Sequence, residues 1–177
     1  IVQTLKSIWQ YNLDQNGKLE TAVDAQLSNW VWLEDSKDQK LILVDTSTPF
    51  IRVNGVEQLD VELLLKAVPG FIRWAIRRLN LDDVIGKYYD RRKVLIDIVG
   101  NLHKEQKPEL IPLFLEAVND ILPDDIDSIE REEIDRYYKE DKMLWTLFSA
   151  LRRADRFITT KILRQRYEFI LPGKVSR

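Results

Sequence analysis

Three polar residues between residues 20 and 50 have the types and spacing that phosphoryl transfer could use: Asp24, Asn29 and Asp45. Transfer of a phosphoryl group from a nucleotide needs a group that positions the attacking hydroxyl and metal ions that neutralise the phosphate charge. A carboxylate in a loop can do the first, and Mg²⁺ prefers oxygen ligands such as those of Asp and Asn side chains. For this chemistry the three side chains must lie close together.

The sequence between Asn29 and Asp45 predicts a β-hairpin that would bring its two ends together. Residues 29–34 are rich in aromatic and β-branched side chains, residues 35–39 are polar, and residues 40–44 are apolar. Antiparallel strands need only a short connection of this kind. Trp30 and Trp32 alternate along the first strand, so they share a face, and we expect both of them in the core.

Residues 18–23 are expected to be short and extended. Most of the remaining chain has the apolar spacing of helices, so the expected fold is mainly α with a small β-hairpin, in the α+β class. We expect one domain over residues 1–177, with a segment that resembles a catalytic loop at residues 20–50. Residues 46–55 are expected to form a loop that contains Pro49. Helices are expected over residues 1–13, 60–67, 69–79, 81–89, 90–104, 108–122, 130–140 and 141–170.

Composition excludes several classes of site. The 177 residues contain no cysteine, which rules out disulfides and thiolate metal sites, and His103 is the single histidine, which argues against a histidine metal cluster or a Ser-His-Asp triad. With 27 basic and 29 acidic residues the chain has no global positive field for nucleic acid. No apolar run has the length of a membrane span, and no secretory signal is visible. A cytoplasmic protein without a nucleic-acid or membrane partner is expected.

The stretch Asp24-Ala-Gln-Leu-Ser-Asn29 resembles the catalytic loop of the protein-kinase-like superfamily, in particular its aminoglycoside-phosphotransferase branch. In that superfamily an Asp is followed five residues later by an Asn, then by a hairpin, then by a metal-binding Asp. Leu41-Ile-Leu-Val-Asp45 is similar to the strand that ends in that second Asp. The resemblance implies a kinase-like C-terminal lobe that transfers phosphate from ATP to the hydroxyl of a small molecule. It also implies that Asp24 is the catalytic base and that Asn29 and Asp45 bind Mg²⁺ and, through it, ATP.

The chain shows no Gly-rich phosphate loop and no strand lysine for the nucleotide, so an N-terminal lobe that carries them is expected before Ile1.

Two other interpretations of the sequence stay open. Ala22 occupies the place of a histidine that is usual in the superfamily, and Thr46 and Ser47 follow Asp45 in place of Phe-Gly. These differences favour the alternative of a catalytically inactive kinase-fold binding domain. In a third interpretation the helical domain is unrelated to kinases, and the three polar residues only satisfy turns.

Some further polar residues have structural explanations that we favour. Asp97 and Asn101 interrupt an apolar helical pattern, and a buried polar pair must be hydrogen-bonded, so we expect an arginine from a neighbouring helix beside Asp97. His103 is expected to be part of the fold. The hydroxyls of residues 46–48 are expected to satisfy loop backbone groups. One arginine set could hold an anion but is expected to pair with nearby acidic residues: Arg73, Arg77, Arg78, Arg91 and Arg92.

Overall fold

The computed structural model describes residues 1–34, 40–45, 50–60, 85–123 and 126–171, together with the single residues Glu62, Leu65, Val68 and Arg73. Within these residues the architecture is mixed α+β, with two small antiparallel sheets beside a group of helices. The hydroxyls of residues 46–48, Arg77 and Arg78, and most of the expected helices over 60–67, 69–79 and 81–89 lie outside the described residues.

The chain begins with helix α1 (Val2–Asp14), which a turn connects to strand β1 (Leu19–Ala22). Asn16 and Gly17 in the turn have φ angles of 50° and 76°, a region where glycine is tolerated best. The side chain of Asn12 donates to the carbonyl of Thr21 at 2.8 Å and accepts from its N–H at 2.9 Å. This double hydrogen bond fixes β1 against α1, and so fixes the start of the segment that contains Asp24.

Strands β2 (Trp30–Leu33) and β3 (Lys40–Leu43) pair antiparallel, with Trp30 opposite Leu43, which confirms the predicted hairpin. A short 3₁₀ helix, Leu27–Asn29, leads into β2. The expectation that both tryptophans of β2 are core residues is wrong for Trp32, whose exposed fraction is 50%. Among the described residues the hairpin forms a two-stranded sheet of its own, and Val31 and Trp32 of β2 are both exposed.

The second sheet has the strand order β1-β4-β5, where β4 is Phe50–Val53 and β5 is Val56–Glu57. The loop expected over residues 46–55 is therefore wrong for residues 50–53, which form the central strand. Asn54 and Gly55 connect β4 to β5 with φ angles of 50° and 78°, as a two-residue hairpin turn requires. Ala22 at the end of β1 pairs with Phe50 at the start of β4. The segment between these two residues contains the β2–β3 hairpin, so the β1–β4 pair brings the two ends of that segment together.

Helix α2 (Arg91–Lys104) is the centre of the core, since nine consecutive residues from Val94 to Leu102 are buried. A helix that is buried on all sides must be surrounded by other elements. It packs against α1 through Leu5 and against α3 (Ile111–Asn119) and α4 (Arg131–Phe157) through Ile111 and Ile134. None of the helices that the structure describes is both long enough and apolar enough to cross a membrane.

The helices expected over residues 90–104 and 108–122 are confirmed in substance, although the second consists of a 3₁₀ turn (Pro108–Leu110) followed by α3. The expected division at residue 141 is wrong, because α4 runs without a break through it. After α4 a π-helix, Ile158–Ile162, ends the helical tract, so residues 164–170 are not helical as expected.

Candidate functional site

The loop after β1 is held by three of its own polar contacts. Oδ1 of Asp24 accepts a hydrogen bond from the N–H of Gln26 at 3.3 Å. The side-chain amide of Asn29 donates to the carbonyl oxygen of Asp24 at 3.0 Å. The indole N–H of Trp30 donates to the carbonyl of Ala25 at 3.3 Å. These bonds fix the loop conformation and hold Asn29 beside the backbone of Asp24.

Asp45 follows β3 directly and lies at the base of the same hairpin. The N–H of Val44 donates to the carbonyl of Asn29 at 2.8 Å, which extends the strand pairing one step past Leu43. The next residue, Asp45, is exposed. Antiparallel pairing therefore places the start of β2 and the end of β3 side by side, as the sequence predicted.

Burial and nearby charges change the pKa of Asp24. Burial raises the pKa of Asp24 above its ordinary value, and the negative charges of Asp97 and Asp45 raise it further. The hydrogen bond from Gln26 and the positive charge of Lys87 act in the opposite direction and lower this pKa. A half-buried carboxyl with a raised pKa is a common feature of general acid–base groups, although structural networks produce it too.

The structure thus brings Asp24, Asn29 and Asp45 to one end of the hairpin. Two carboxylates and an amide oxygen are suitable ligands for Mg²⁺. The side-chain nitrogen of Asn29 makes the hydrogen bond to Asp24, so the side-chain oxygen of Asn29 can accept another partner. Among the described residues there is no cluster of three or more His, Cys, Asp or Glu side chains arranged to hold a metal. A Mg²⁺ ion here would need phosphate or water oxygens to complete its coordination.

Two residues that sequence reasoning missed, Lys87 and Tyr88, lie near Asp24. The charge of Lys87 acts on the pKa of Asp24, and burial together with the charges of Asp24 and Asp97 raises the pKa of Tyr88. Tyr88 also stacks on Phe50, with ring centroids 4.2 Å apart. Both residues lie just before α2, far from Asp24 in sequence, so no local spacing pattern pointed to them.

Among the described residues, Arg92 confirms the expected pairing of an arginine with an acidic residue, and His103 is part of the fold as expected. Arg92 forms an ion pair with Glu133 at 2.6 Å, and the guanidinium of Arg91 lies 5.6 Å from the ring centroid of Trp9. Arg73 donates to a backbone carbonyl at 3.0 Å. His103 contacts a carboxylate at 2.9 Å and stacks on a tyrosine ring, so it is part of the packing between α2 and α4.

The expectation that an arginine lies beside Asp97 is wrong, because a tyrosine of α4 contacts its carboxylate instead. The hydroxyl of Tyr137 donates to the carboxylate of Asp97, and the side chain of Asn101 donates to the carbonyl of Asp97 at 2.7 Å. A phenol can hydrogen-bond a buried carboxylate without bringing a second charge into the core. An Asp–Arg pair would have required both charges to lose their water.

No curated protein and no solved structure has significant similarity to the chain. A family model matches residues 2–156, which include α1, both sheets and almost all of α4. It is described as a family of unknown function, DUF6206. Since the match spans well over half of the 177 residues, the chain belongs to this family.

Proposed function

We propose that this chain is the catalytic part of a kinase-like phosphotransferase that moves a phosphoryl group from ATP to the hydroxyl of a small molecule. The observation that supports it most is the convergence of Asp24, Asn29 and Asp45 at the base of one hairpin. The order of these residues along the chain, with the hairpin between the last two, is that of the resemblance on which the proposal rests.

In this proposal each side chain has a separate role. Asp24 orients the acceptor hydroxyl and takes its proton, for which a raised pKa is favourable. The amide oxygen of Asn29 and the carboxylate of Asp45 would hold Mg²⁺, which neutralises phosphate charge when bound. The hydrogen bond from Asn29 to the Asp24 backbone keeps the base and the metal ligand in a fixed relation.

A thermal-shift titration of the protein, including any natural sequence outside residues 1–177, tests nucleotide binding. Mg²⁺ and ATP together are expected to raise the melting temperature, because a ligand that binds only the folded state stabilises it. Asp45→Asn and Asn29→Ala are expected to remove that shift. The matched control is Asp120→Asn, which changes an exposed carboxylate after α3 and should keep the shift.

ADP formation separates catalysis from binding. Asp24→Asn is expected to keep the Mg-ATP shift but to lose ADP formation, with water or an added alcohol as acceptor. A Mg-ATP shift that survives in both Asp45→Asn and Asn29→Ala would contradict the proposed site. Wild-type protein that binds Mg-ATP but forms no ADP would favour the alternative, an inactive binding domain of the same fold. The features that favour this alternative are Ala22, in the place of the usual histidine, and the residues after Asp45.

A further inference from the structure

A cavity of about 260 Å³ lies between the segment after β1 and helix α2. Its apolar walls include Val23 and Ala25 from that segment and Val94 and Ile96 from α2. Asp24 is not among the described residues that line it, although its two neighbours are. The cavity therefore borders the group of side chains at the hairpin base without including Asp24, and we name it the Asp97 cavity after its buried carboxylate.

Asp97 is the buried charged group in this lining, with an exposed fraction of 8%. Its Oδ1 accepts the hydrogen bond from Tyr137, and no described residue donates to its Oδ2. A carboxylate that has lost most of its contact with water favours a hydrogen-bond donor brought by a ligand. The cavity thus contains an acceptor that a ligand could satisfy.

The positive groups of the lining are directed to other partners. The Nζ of Lys87 lies 4.8 Å from the ring centroid of Tyr88, and the side chain of Lys93 is 62% exposed with its Nζ 3.8 Å from Asp90. Two tyrosines, Tyr88 and Tyr137, complete the polar part of the wall. Since Lys93 is largely exposed and pairs with Asp90, and Lys87 lies against an aromatic ring, Asp97 is the charged side chain of this lining that is buried.

We propose that the Asp97 cavity binds a small organic amine in its ammonium form, with the apolar body of the amine against Val23, Ala25, Val94 and Ile96. An ammonium carries three donors and a charge that compensates the carboxylate, and charge-assisted hydrogen bonds are stronger than neutral ones. A dry apolar cavity of about 150 Å³ accommodates benzene. A volume of 260 Å³ therefore fits one aromatic ring with a short aminoalkyl arm.

Three probes with the same body and different end groups test this inference: 2-phenylethylamine, 2-phenylethanol and 3-phenylpropanoate. Binding is measured by calorimetry and by thermal shift at neutral pH. The amine is expected to bind best, and Asp97→Asn, which keeps the shape of the side chain, is expected to weaken it about tenfold or more. Val23→Phe fills the cavity from a partly buried position and is expected to block all three probes, so it provides a second test if Asp97→Asn folds poorly.

Asp120→Asn is the control for the loss of one carboxylate and should leave amine binding unchanged. Tightest binding by the carboxylate probe would show that the lysines dominate and would overturn the inference. Equal amine affinity in wild type and Val23→Phe would place the amine elsewhere, and no binding by any probe would also overturn it. None of these outcomes depends on ATP or on Asp24, so the inference can fail while the proposed phosphotransferase stands, or the reverse.

Discussion

The hydroxyl of Tyr137 on α4 donates a hydrogen bond to the carboxylate of Asp97 on α2, with 2.5 Å between the two oxygens. Gly100, one turn after Asp97, makes this contact possible, because a Cβ at that position would lie 2.8 Å from Cδ1 of the Tyr137 ring. The absence of a side chain at one residue thus lets the tyrosine reach a buried acid on the same helix. Asp97, Gly100 and Tyr137 therefore form one of the contacts through which α4 packs on α2.

Tyr137→Phe removes the donor and leaves Oδ1 of Asp97 buried without a partner. We expect a loss of about 1–3 kcal/mol in the free energy of unfolding, measured by urea denaturation. In the Asp97→Asn background the same substitution should cost less, since the buried charge is gone. Tyr138→Phe is the matched control, because this neighbour stacks on His103 through its ring, which the substitution keeps. Equal costs in both backgrounds would show that the pair contributes no coupling.

Gly100→Ala places a methyl group against the Tyr137 ring, which must then move. Overpacking of this kind costs about 1–3 kcal/mol, and the better helix propensity of alanine offsets up to about 1 kcal/mol of that. We therefore expect net destabilisation in thermal and urea unfolding. Gly86→Ala is the control, since its added Cβ would lie 3.9 Å from the nearest neighbouring atom, a nitrogen of the Arg52 side chain. A Gly100→Ala protein more stable than wild type would show that Tyr137 adapts without strain.

Sequence could predict the part of the site that antiparallel geometry determines. Asn29 and Asp45 come together because a strand pair returns to its starting end, and this follows from the alternation of apolar and turn residues alone. The paired strands observed at residues 30–33 and 40–43 lie within the predicted ranges. Strand β4, and with it the pairing to β1, was missed, because a four-residue strand after Pro49 gives too short a pattern to distinguish it from a loop.

The rest of the environment of Asp24 depends on contacts between distant residues. Asp97 could be recognised as a buried polar residue from its apolar neighbours, but its partner Tyr137 lies 40 residues away on another helix. Lys87 acts on the pKa of Asp24, and Asp24 acts on the pKa of Tyr88, because the chain returns past β1 before α2. Trp32 was predicted to lie in the core but is exposed. The alternation of side chains along a strand predicts which of them share a face, but not whether a second layer covers that face.

Asp24→Asn is expected to stabilise the folded protein at neutral pH. Because the pKa of Asp24 is raised on folding, the folded state binds its proton more tightly, and ionisation above that pKa reduces stability. Asparagine keeps the oxygen that accepts from Gln26 and removes the charge. The stabilisation should be present at pH 7, shrink on acidification and vanish below the unfolded value of 3.8. Melting temperatures across this range measure it, and Asp120→Asn should lack the trend.

The ion pair between Arg92 and Glu133 is expected to give the protein a stability loss at acidic pH. Arg92 donates to both carboxylate oxygens, at 2.8 and 2.6 Å, and both side chains are less than a third exposed. These hydrogen bonds lower the pKa of Glu133 below its ordinary value of 4.5. A lowered folded pKa means that the contribution is complete above pH 4.5 and disappears as pH falls through the folded value.

Glu133→Gln should therefore cost about 1 kcal/mol at pH 7 and almost nothing well below pH 4. Urea denaturation at the two pH values measures the difference. Arg92→Lys should also destabilise at pH 7, since an ammonium cannot reproduce the two parallel hydrogen bonds of a guanidinium. Glu109→Gln is the control, because its pair with Lys107 has both side chains 61% exposed and should contribute little at either pH. A pH-independent cost for Glu133→Gln would assign its effect to the start of α4, where Glu133 also bonds the backbone of Glu130, and not to the charge of Arg92.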